Sequence, residues 1–309
     1  MKLLGAFVVG LGLASAAVAP STGLAQTKVI VGYTATMDTV PMFAAIEKGM
    51  FAKRGVEVTP TLVQVNSLLP AALVSNSVQL GMTTMTTFLQ ATDAGLDLVA
   101  VSGLNFTKKN ETNFGVVVRS GSGITKATDF MGKKVGVPGL NAVMHVLFVD
   151  WVKKQGADPT KVTFVETAFP QMNEIMKSGS VDAVVAVEPF MNRIIQAGTG
   201  TLQAHFVQAE GIPIVVFSGT RDWVTKNAAA VKGFRDGMAE GMAWATTNQD
   251  EARELGARSL KLPIEVVRTL EIPRFGVEVN ADALRAWTVI MKEQKMLTKD
   301  VQAEKLIFN

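Results

Sequence analysis

Short polar side chains follow the first predicted strand, where they could bind a small polar ligand. This strand is the buried run Lys28–Val31, and the candidates after it are Thr34, Thr36, Met37, Asp38 and Thr39. Their hydroxyl, amide and carboxylate groups suit a ligand. Equally, Asp38 or Thr39 could cap the helix that begins near Pro41. Both interpretations stay open, because one loop can do both.

Further small polar residues follow the next predicted strands, 56–63 and 78–82, and one lies in the polar segment 102–120. They are Asn66, Ser67, Thr83, Thr84, Thr86 and Asn105. Short hydroxyl and amide side chains at strand ends predict contacts with a small ligand. Ordinary turn formation explains such residues as well.

The second half of the chain offers candidates of three kinds. A predicted helix start has free backbone N–H groups that suit an anion, the end of one strand carries a hydroxyl and an aromatic ring, and another strand ends in a carboxylate. The residues are Gly139, Leu140, Asn141, Ala142, Thr167, Phe169 and Glu188. Glu188 could accept a hydrogen bond from an amine or amidine of the ligand, or anchor a hinge through backbone amides.

The sequence contains few residues suited to other kinds of chemistry. There is no cysteine, so disulfides, thiolate metal sites and a lipidated N-terminal cysteine are excluded. The two histidines, His145 and His205, form no metal motif, and neither G-x-S-x-G nor a phosphate-loop G-K-[ST] occurs. We therefore predict no metal and no cofactor.

A repeated pattern supplies the elements that position these residues. The chain reads LVSNSVQLGM at 73–82 and MKSGSVDAVV at 176–185. Each phrase closes a helix and opens a buried strand, and each ends a predicted βαβαβ unit. In the first unit, Asn76 is placed to take the left-handed conformation that ends a helix. Parallel strands with right-handed crossovers bind ligands at their carboxyl ends, so two such units facing each other form a cleft. A tandem of domains without a shared cleft is the alternative.

The segments between the units favour the cleft. Residues 102–120 leave the first unit and 213–219 return after the second, which suits a two-segment hinge. We expect helices at 221–248, 251–260, 264–270 and 281–294. The predicted division is a signal peptide at 1–25, one lobe from 26–112 and 213–309, and a second lobe at 113–212.

The composition indicates an exported globular protein. Hydrophobic residues make up 48% and charged residues 18%, and the net charge of +3 without a basic cluster gives no support for nucleic-acid binding. One lysine, an apolar run and small residues at the N-terminus are typical of a signal peptide cut after Ala25, with Ala19 as the alternative. An uncleaved membrane anchor is the other interpretation. Export without disulfide or lipid anchor predicts the periplasm.

Several stretches resemble the substrate-binding proteins of ABC importers for sulfonates, nitrate, taurine and thiamine-pyrimidine precursors. The stretches are VGYTATMDTVPMFAAIEKGMFAKRGVEV (31–58), PAALVSNSVQLGM (70–82), TDFMGKKVGVPG (128–139), MKSGSVDAVVAVEPF (176–190) and PIVVFSGTRDWV (213–224). The resemblance implies a type II periplasmic-binding-protein fold of class α/β. It also implies ligand capture between the lobes, docking on an ABC permease with its ATPase, and a monomer.

The sequence departs from this family at two positions that bear on the ligand. Thr39 stands where pyrimidine-binding members often have histidine, and Val187 stands where many members have tryptophan before Glu-Pro. Asp38 and Glu188 are the charged candidates in the predicted cleft, and no arginine joins them unless Arg119 or Arg221 points inward. This disfavours a bare anion and favours a neutral, zwitterionic or amine-bearing molecule.

The sequence therefore predicts a solute-binding receptor that acts without catalysis. Two alternatives are an enzyme of the same fold and a periplasmic ligand sensor. The related pyrimidine synthase uses pyridoxal phosphate with a histidine and a cysteine-rich motif, and both Thr39 and the absence of cysteine argue against that enzyme here.

Overall fold

A computed structural model describes residues 26–108, 111–207, 210–268 and 270–308. The predicted signal peptide, residues 1–25, lies outside this part of the chain. The described residues contain two sheets, each flanked by helices, and no helix among them is both long and apolar enough to cross a membrane.

The first sheet has six strands. They are β1 (Thr27–Tyr33), β2 (Val56–Leu62), β3 (Leu80–Thr84), β4 (Leu98–Phe106), β10 (Pro213–Thr220) and β11 (Arg274–Phe275). Their order is β11-β4-β10-β3-β1-β2, with β1 parallel to both β2 and β3 and with β10 antiparallel to β3 and β4. The carboxyl ends of β1, β2 and β3 therefore lie at one edge, as a βαβαβ unit requires.

The second sheet repeats this arrangement with five strands. They are β5 (Phe114–Arg119), β6 (Lys134–Val137), β7 (Thr163–Glu166), β8 (Ala183–Val187) and β9 (Gly200–Ala204), in the order β7-β6-β8-β5-β9. Strand β6 is parallel to β7 and β8, while β5 is antiparallel to β8 and β9. All residues of β8 are buried, because helices cover both faces of this strand. The predicted α/β fold with two βαβαβ units is confirmed.

Helices connect the strands and complete the first lobe. They are α1 (Val40–Glu47), α2 (Leu69–Val74), α3 (Met85–Asp93), α4 (Val143–Lys154), α5 (Met172–Lys177), α6 (Phe190–Gln196), α7 (Arg221–Lys226), α8 (Ala228–Thr247), α9 (Gln249–Leu260), α10 (Ile264–Val267) and α11 (Ala281–Glu293). The helix predicted over 221–248 is broken at Asn227, which leaves the helical region with φ −119° and ψ 32°. Its side-chain amide donates to the Trp223 carbonyl and closes α7.

The two copies of the repeated phrase end their helices alike. Asn76 after α2 has φ 57° and Gly179 after α5 has φ 74°. Both lie in the left-handed region that turns the chain into the next strand, so the predicted conformation of Asn76 is confirmed. The same local geometry thus delivers β3 and β8 to the centres of their sheets.

Two crossing segments join the sheets and hydrogen-bond to each other. The N–H of Thr107 donates to the Ile212 carbonyl at 3.0 Å, and the N–H of Gly211 donates to the Thr107 carbonyl at 2.9 Å. Paired crossing strands of this kind let two lobes move about a common axis. The division at 112/113 and 212/213 stays a prediction.

Candidate functional site

Two adjoining cavities lie between the sheets, one of about 30 Å³ and one of about 50 Å³. Both are lined by residues of each lobe, and they share five residues, namely Thr36, Asp38, Phe114, Val187 and Ile214. We call the two together the cleft. A single water needs roughly 10–15 Å³ measured in this way, so in this closed conformation the cleft has room for a small ligand only.

The loop after β1 forms one wall of the cleft. Thr36 Oγ1 donates to Asp38 Oδ2 at 3.1 Å, and Asn105 Nδ2, from the end of β4, donates to Asp38 Oδ1 at 2.8 Å. Thr39 Oγ1 donates a hydrogen bond to the Thr36 carbonyl at 2.7 Å and makes no capping hydrogen bond to α1. Thr34 and Thr36 line the cleft, whereas Thr39 does not.

Asp38 is the most strongly perturbed acid of the cleft. The protein that encloses it removes water from its carboxyl group and raises the pKa to about 6, although the hydrogen bonds from Thr36 and Asn105 oppose this rise. The charge of Glu111 raises the pKa of Asp38 further. Slightly below neutral pH, Asp38 is therefore present in both its protonated and its ionised form.

Met37 belongs to both the cleft and the core of the first lobe. Its side chain is 4% exposed and packs with Val40 and Leu255. A Cβ at Gly256 would lie 2.7 Å from Met37 Cε, so this glycine of α9 makes room for the methionine. The role of Met37 is to hold the loop against α9 while one edge reaches the cleft.

Asn66 and the threonines after β3 build the next wall. Asn66 Nδ2 donates to the Met82 carbonyl at 2.8 Å, and Asn66 Oδ1 accepts from the Thr84 N–H at 2.9 Å. Thr84 caps α3, since its hydroxyl accepts the Thr87 N–H. Asn66 and Thr84 line the cleft; Thr86 is buried behind Thr84, and Thr83 bonds to Ser218 at 2.8 Å.

The predicted residues 139–141 of the second lobe lie at the rim of the cleft. The Leu140 N–H donates to Glu166 Oε2 at 3.4 Å, and the Asn141 N–H donates to His145 Nδ1 at 2.9 Å. These amides are thus bonded within the protein, and Leu140 is exposed. Gly139 is buried against the Asn66 and Ser67 backbone, where the two lobes meet. The first turn of α4 itself, Val143 and Met144, lines the cleft.

Ser67 and Glu166 connect the two lobes across the rim. The Ser67 hydroxyl donates to the Glu166 carboxylate, which also accepts the Leu140 N–H. Ser67 therefore bonds to protein rather than lining the cleft. Thr167 is also outside the lining and lies beside Gly136. Phe169 does line the cleft and stacks on Phe190, with ring centres 5.4 Å apart.

Both predicted roles of Glu188, ligand acceptor and hinge anchor, stay predictions. Its Oε2 accepts the Asn192 N–H at 3.2 Å, as a structural anchor would, and the residue also lines the smaller cavity. Burial raises the pKa of its carboxyl group, while the Asn192 bond and the charge of His205 oppose this. Arg119 and Arg221 point elsewhere and pair with Asp182 and Asp97, each at 2.8–2.9 Å.

Several residues of the cleft were not predicted from the sequence. They are Gln64, Met82, Phe106, Glu111, Asn113, Phe114, Pro138, Val143, Met144, Val187, Ile214, Val215, Leu270, Glu271, Pro273 and Arg274. Most of the apolar ones are ordinary core residues in the sequence, with no signal of their own. Glu111 had a signal, because it is an acidic residue within the predicted hinge segment 102–120, which also contains Asn105.

The described residues hold no group of three or more His, Asp or Glu side chains close enough to bind a metal ion.

A model of the family described as NMT1/THI5 like matches residues 36–252. The chain is also 23% identical to the riboflavin-binding protein RibY of Chloroflexus aurantiacus over 75% of this chain and 66% of that protein. It spans two thirds or less of the length of the curated relatives that it matches.

Solved structures confirm the fold. The alkanesulfonate-binding protein SsuA of Xanthomonas axonopodis, bound to MOPS, superposes with a TM-score of 0.80 at 20% identity, covering 92% of this chain and 99% of SsuA. The periplasmic nitrate-binding protein NrtA of Synechocystis superposes with a TM-score of 0.78 at 17% identity, covering 91% of this chain and 86% of NrtA. The predicted periplasmic-binding-protein fold is thus correct.

Proposed function

The chain belongs to the NMT1/THI5-like family, and from this premise we propose that it is a solute-binding receptor. It captures a small organic molecule between its two lobes and delivers it to an ABC permease with its ATPase. We propose further that residues 1–25 direct it to the periplasm and that it acts as a monomer. The proposed ligand is a small polar organic molecule, such as a sulfonate, a taurine-like compound, a pyrimidine or a similar nitrogen or sulfur compound.

One observation carries this proposal, namely the closed cleft whose walls come from both lobes. Thr36, Asp38 and Asn66 of the first lobe face Phe114, Phe169 and Val187 of the second. A ligand held by both walls contacts its full set of partners only when the lobes are closed, so binding shifts the population towards closure. This coupling is what a transport receptor needs.

The size of the cleft also limits the ligand. The two cavities that form it have volumes of about 30 and 50 Å³. A compound with one ring or a short chain fits with a small adjustment of the lobes. We therefore propose a ligand of that size.

The test is thermal unfolding of the protein from Gln26 against small amines, acids, sulfonates, nitrate and neutral heterocycles. A ligand at about a hundred times its Kd adds roughly 2.7 kcal/mol to the free energy of unfolding. That should raise Tm by roughly 5–10 °C for a chain of this size. A rise in Tm caused by a compound of any charge class supports the proposed receptor function.

Two matched variants show whether a hit binds in the cleft. Ala142 is buried in the cleft wall, so Ala142→Trp should fill the cavity and abolish the shift. Ala94 is exposed at the far end of α3, so Ala94→Trp should retain the shift. A shift that survives Ala142→Trp would contradict binding between the lobes.

A further inference from the structure

The two cavities of the cleft differ in chemistry. The larger is walled mainly by apolar side chains, among them Phe114, Phe169, Met144 and Val215. The smaller also has apolar residues in its wall, but it adds several acids and an amide, namely Asp38, Asn105, Glu111, Glu188 and Glu271, of which Asp38 lines both cavities. The cleft therefore has an apolar end and an end rich in hydrogen-bond acceptors, which we call the acceptor chamber.

Asn105 leaves an acceptor without a partner in this chamber. Its Nδ2 donates to Asp38, which orients its Oδ1 away from that carboxylate. Asn105 is 2% exposed, and within the described part of the chain its Oδ1 finds no hydrogen-bond donor. A buried carbonyl oxygen without a donor destabilises the protein, so a ligand that donates a hydrogen bond to it offsets this destabilisation.

The carboxylates of the chamber also keep unused acceptor capacity. Glu111 is 4% exposed, and among the described residues its carboxylate accepts one hydrogen bond, from the Asn113 N–H to Oε1 at 3.0 Å. Within the same residues Glu188 likewise accepts one bond, from Asn192. A carboxylate can accept about four hydrogen bonds, so both side chains can take more donors.

Positive charge is scarce at the same place. Arg274 is exposed, and it is the one lysine or arginine among the described residues that line either cavity. Lys108 pairs with Glu271 at the edge of the chamber. An anion in the chamber would therefore meet the buried Glu111 and the half-buried Asp38 and Glu188 without a buried counter-charge, which is unfavourable.

We propose that the ligand carries a protonated amine or amidine that binds in the acceptor chamber, against Asn105 Oδ1 and the carboxylates of Asp38 and Glu111. Its apolar body lies against Phe114, Val187 and Phe169. An ammonium group has three N–H donors and no acceptor, which matches a chamber of acceptors. This inference rests on the proposed function, since it names the ligand class of the same cleft.

The experiment compares compounds that share a phenyl ring and differ in the charge of the attached group. Phenethylamine and benzamidine are the cations, phenylacetate and 2-phenylethanesulfonate are the anions, and 2-phenylethanol is the neutral member. Calorimetric titration should give a Kd for at least one cation that is lower than that of every anion by more than about tenfold, a difference of 1.4 kcal/mol. An anion or the alcohol binding as tightly as the cations, or no binding by either cation, overturns the inference.

Two variants test the assignment to the acceptor chamber. Glu111→Gln keeps the acceptor for the Asn113 N–H but removes the charge. It should therefore weaken the binding of the cations by about tenfold or more and leave the binding of the alcohol unchanged. Glu57→Gln changes an exposed residue of β2 and should alter neither. Equal weakening of cations and alcohol by Glu111→Gln would show a merely structural role and overturn the assignment.

The two proposals fail in different ways. If an anion or neutral compound binds to the parent protein but not to Ala142→Trp, the proposed receptor function is supported and the proposed amine-bearing ligand is wrong. If no compound of any charge class binds, both are wrong.

Discussion

At the scale of single residues, the half-buried carboxylate of Asp38 destabilises the protein near neutral pH. Its pKa of about 6 lies above the ordinary 3.8, because the closed cleft removes water from the charged form. A raised pKa means that the folded protein binds the proton more tightly than the unfolded chain. The resulting stability is fully present below about pH 4 and is lost as pH rises through 6.

Asp38→Asn should therefore stabilise the protein at pH 7. Removing a carboxylate that is ionised at a cost should raise the free energy of unfolding by on the order of 2–3 kcal/mol at pH 7 and by little at pH 4. Urea unfolding at the two pH values measures this. Asp236→Asn, at an exposed residue paired with Lys232, should have little effect. A variant that is less stable than the parent at pH 7 would contradict the burial of a charged Asp38.

At the scale of elements, α4 carries a buried histidine with the opposite effect. Burial against Phe164, with ring centres 4.2 Å apart, lowers the pKa of His145 to about 4 from 6.5. The stability that depends on neutral His145 is present above about pH 6.5 and is lost as pH falls towards 4. Asp38 and His145 thus change stability in opposite directions over the same pH range.

His145→Gln should separate the two effects. Glutamine can still accept the Asn141 N–H but does not titrate, so the loss of stability between about pH 6.5 and 4 should become smaller than in the parent. In Asp38→Asn the same loss should become larger, because the compensating gain is absent. Unfolding free energies measured across this range check both slopes. If the free energy of unfolding changed with pH in the same way in all three proteins, neither Asp38 nor His145 would determine that change.

The elements themselves could be predicted to different degrees. The strands of both units were predictable because their buried Val and Ile runs and the Gly or Asn helix ends recur in two copies. Helix α3 was missed, because its start, TTMTT, consists of residues with low helix propensity. It forms because Thr84 caps it and because Phe88 and Leu89 are fully buried. Tertiary burial here overrides local propensity.

The site was predictable in part for a related reason. Loop residues after β1, β2 and β3 could be placed from strand order alone, and Thr36, Asp38, Asn66 and Thr84 do line the cleft. Whether a side chain then points to a ligand or to protein depends on the other lobe. Ser67 illustrates this, since its partner Glu166 is distant in sequence.

At the scale of the whole molecule, direct contacts hold the two lobes together outside the cleft. Ser67 donates to Glu166 across the rim, and Gln294, which follows α11, donates to the Val146 carbonyl of α4 at 2.9 Å. Such bonds favour the closed state before a ligand arrives. They raise the apparent affinity for a ligand, because less of the binding energy is used to close the lobes.

Ser67→Ala should therefore make the ligand-free protein more open. One interlobe hydrogen bond contributes about 1 kcal/mol, so its loss should move the open-to-closed ratio about fivefold. Small-angle X-ray scattering should show a larger radius of gyration without ligand, and the affinity for any ligand that closes the lobes should fall by up to the same factor. Ser75→Ala removes an exposed hydroxyl that bonds only within its own lobe, and it should change neither quantity. Unchanged scattering together with unchanged affinity would contradict a contribution of the Ser67–Glu166 bond to closure.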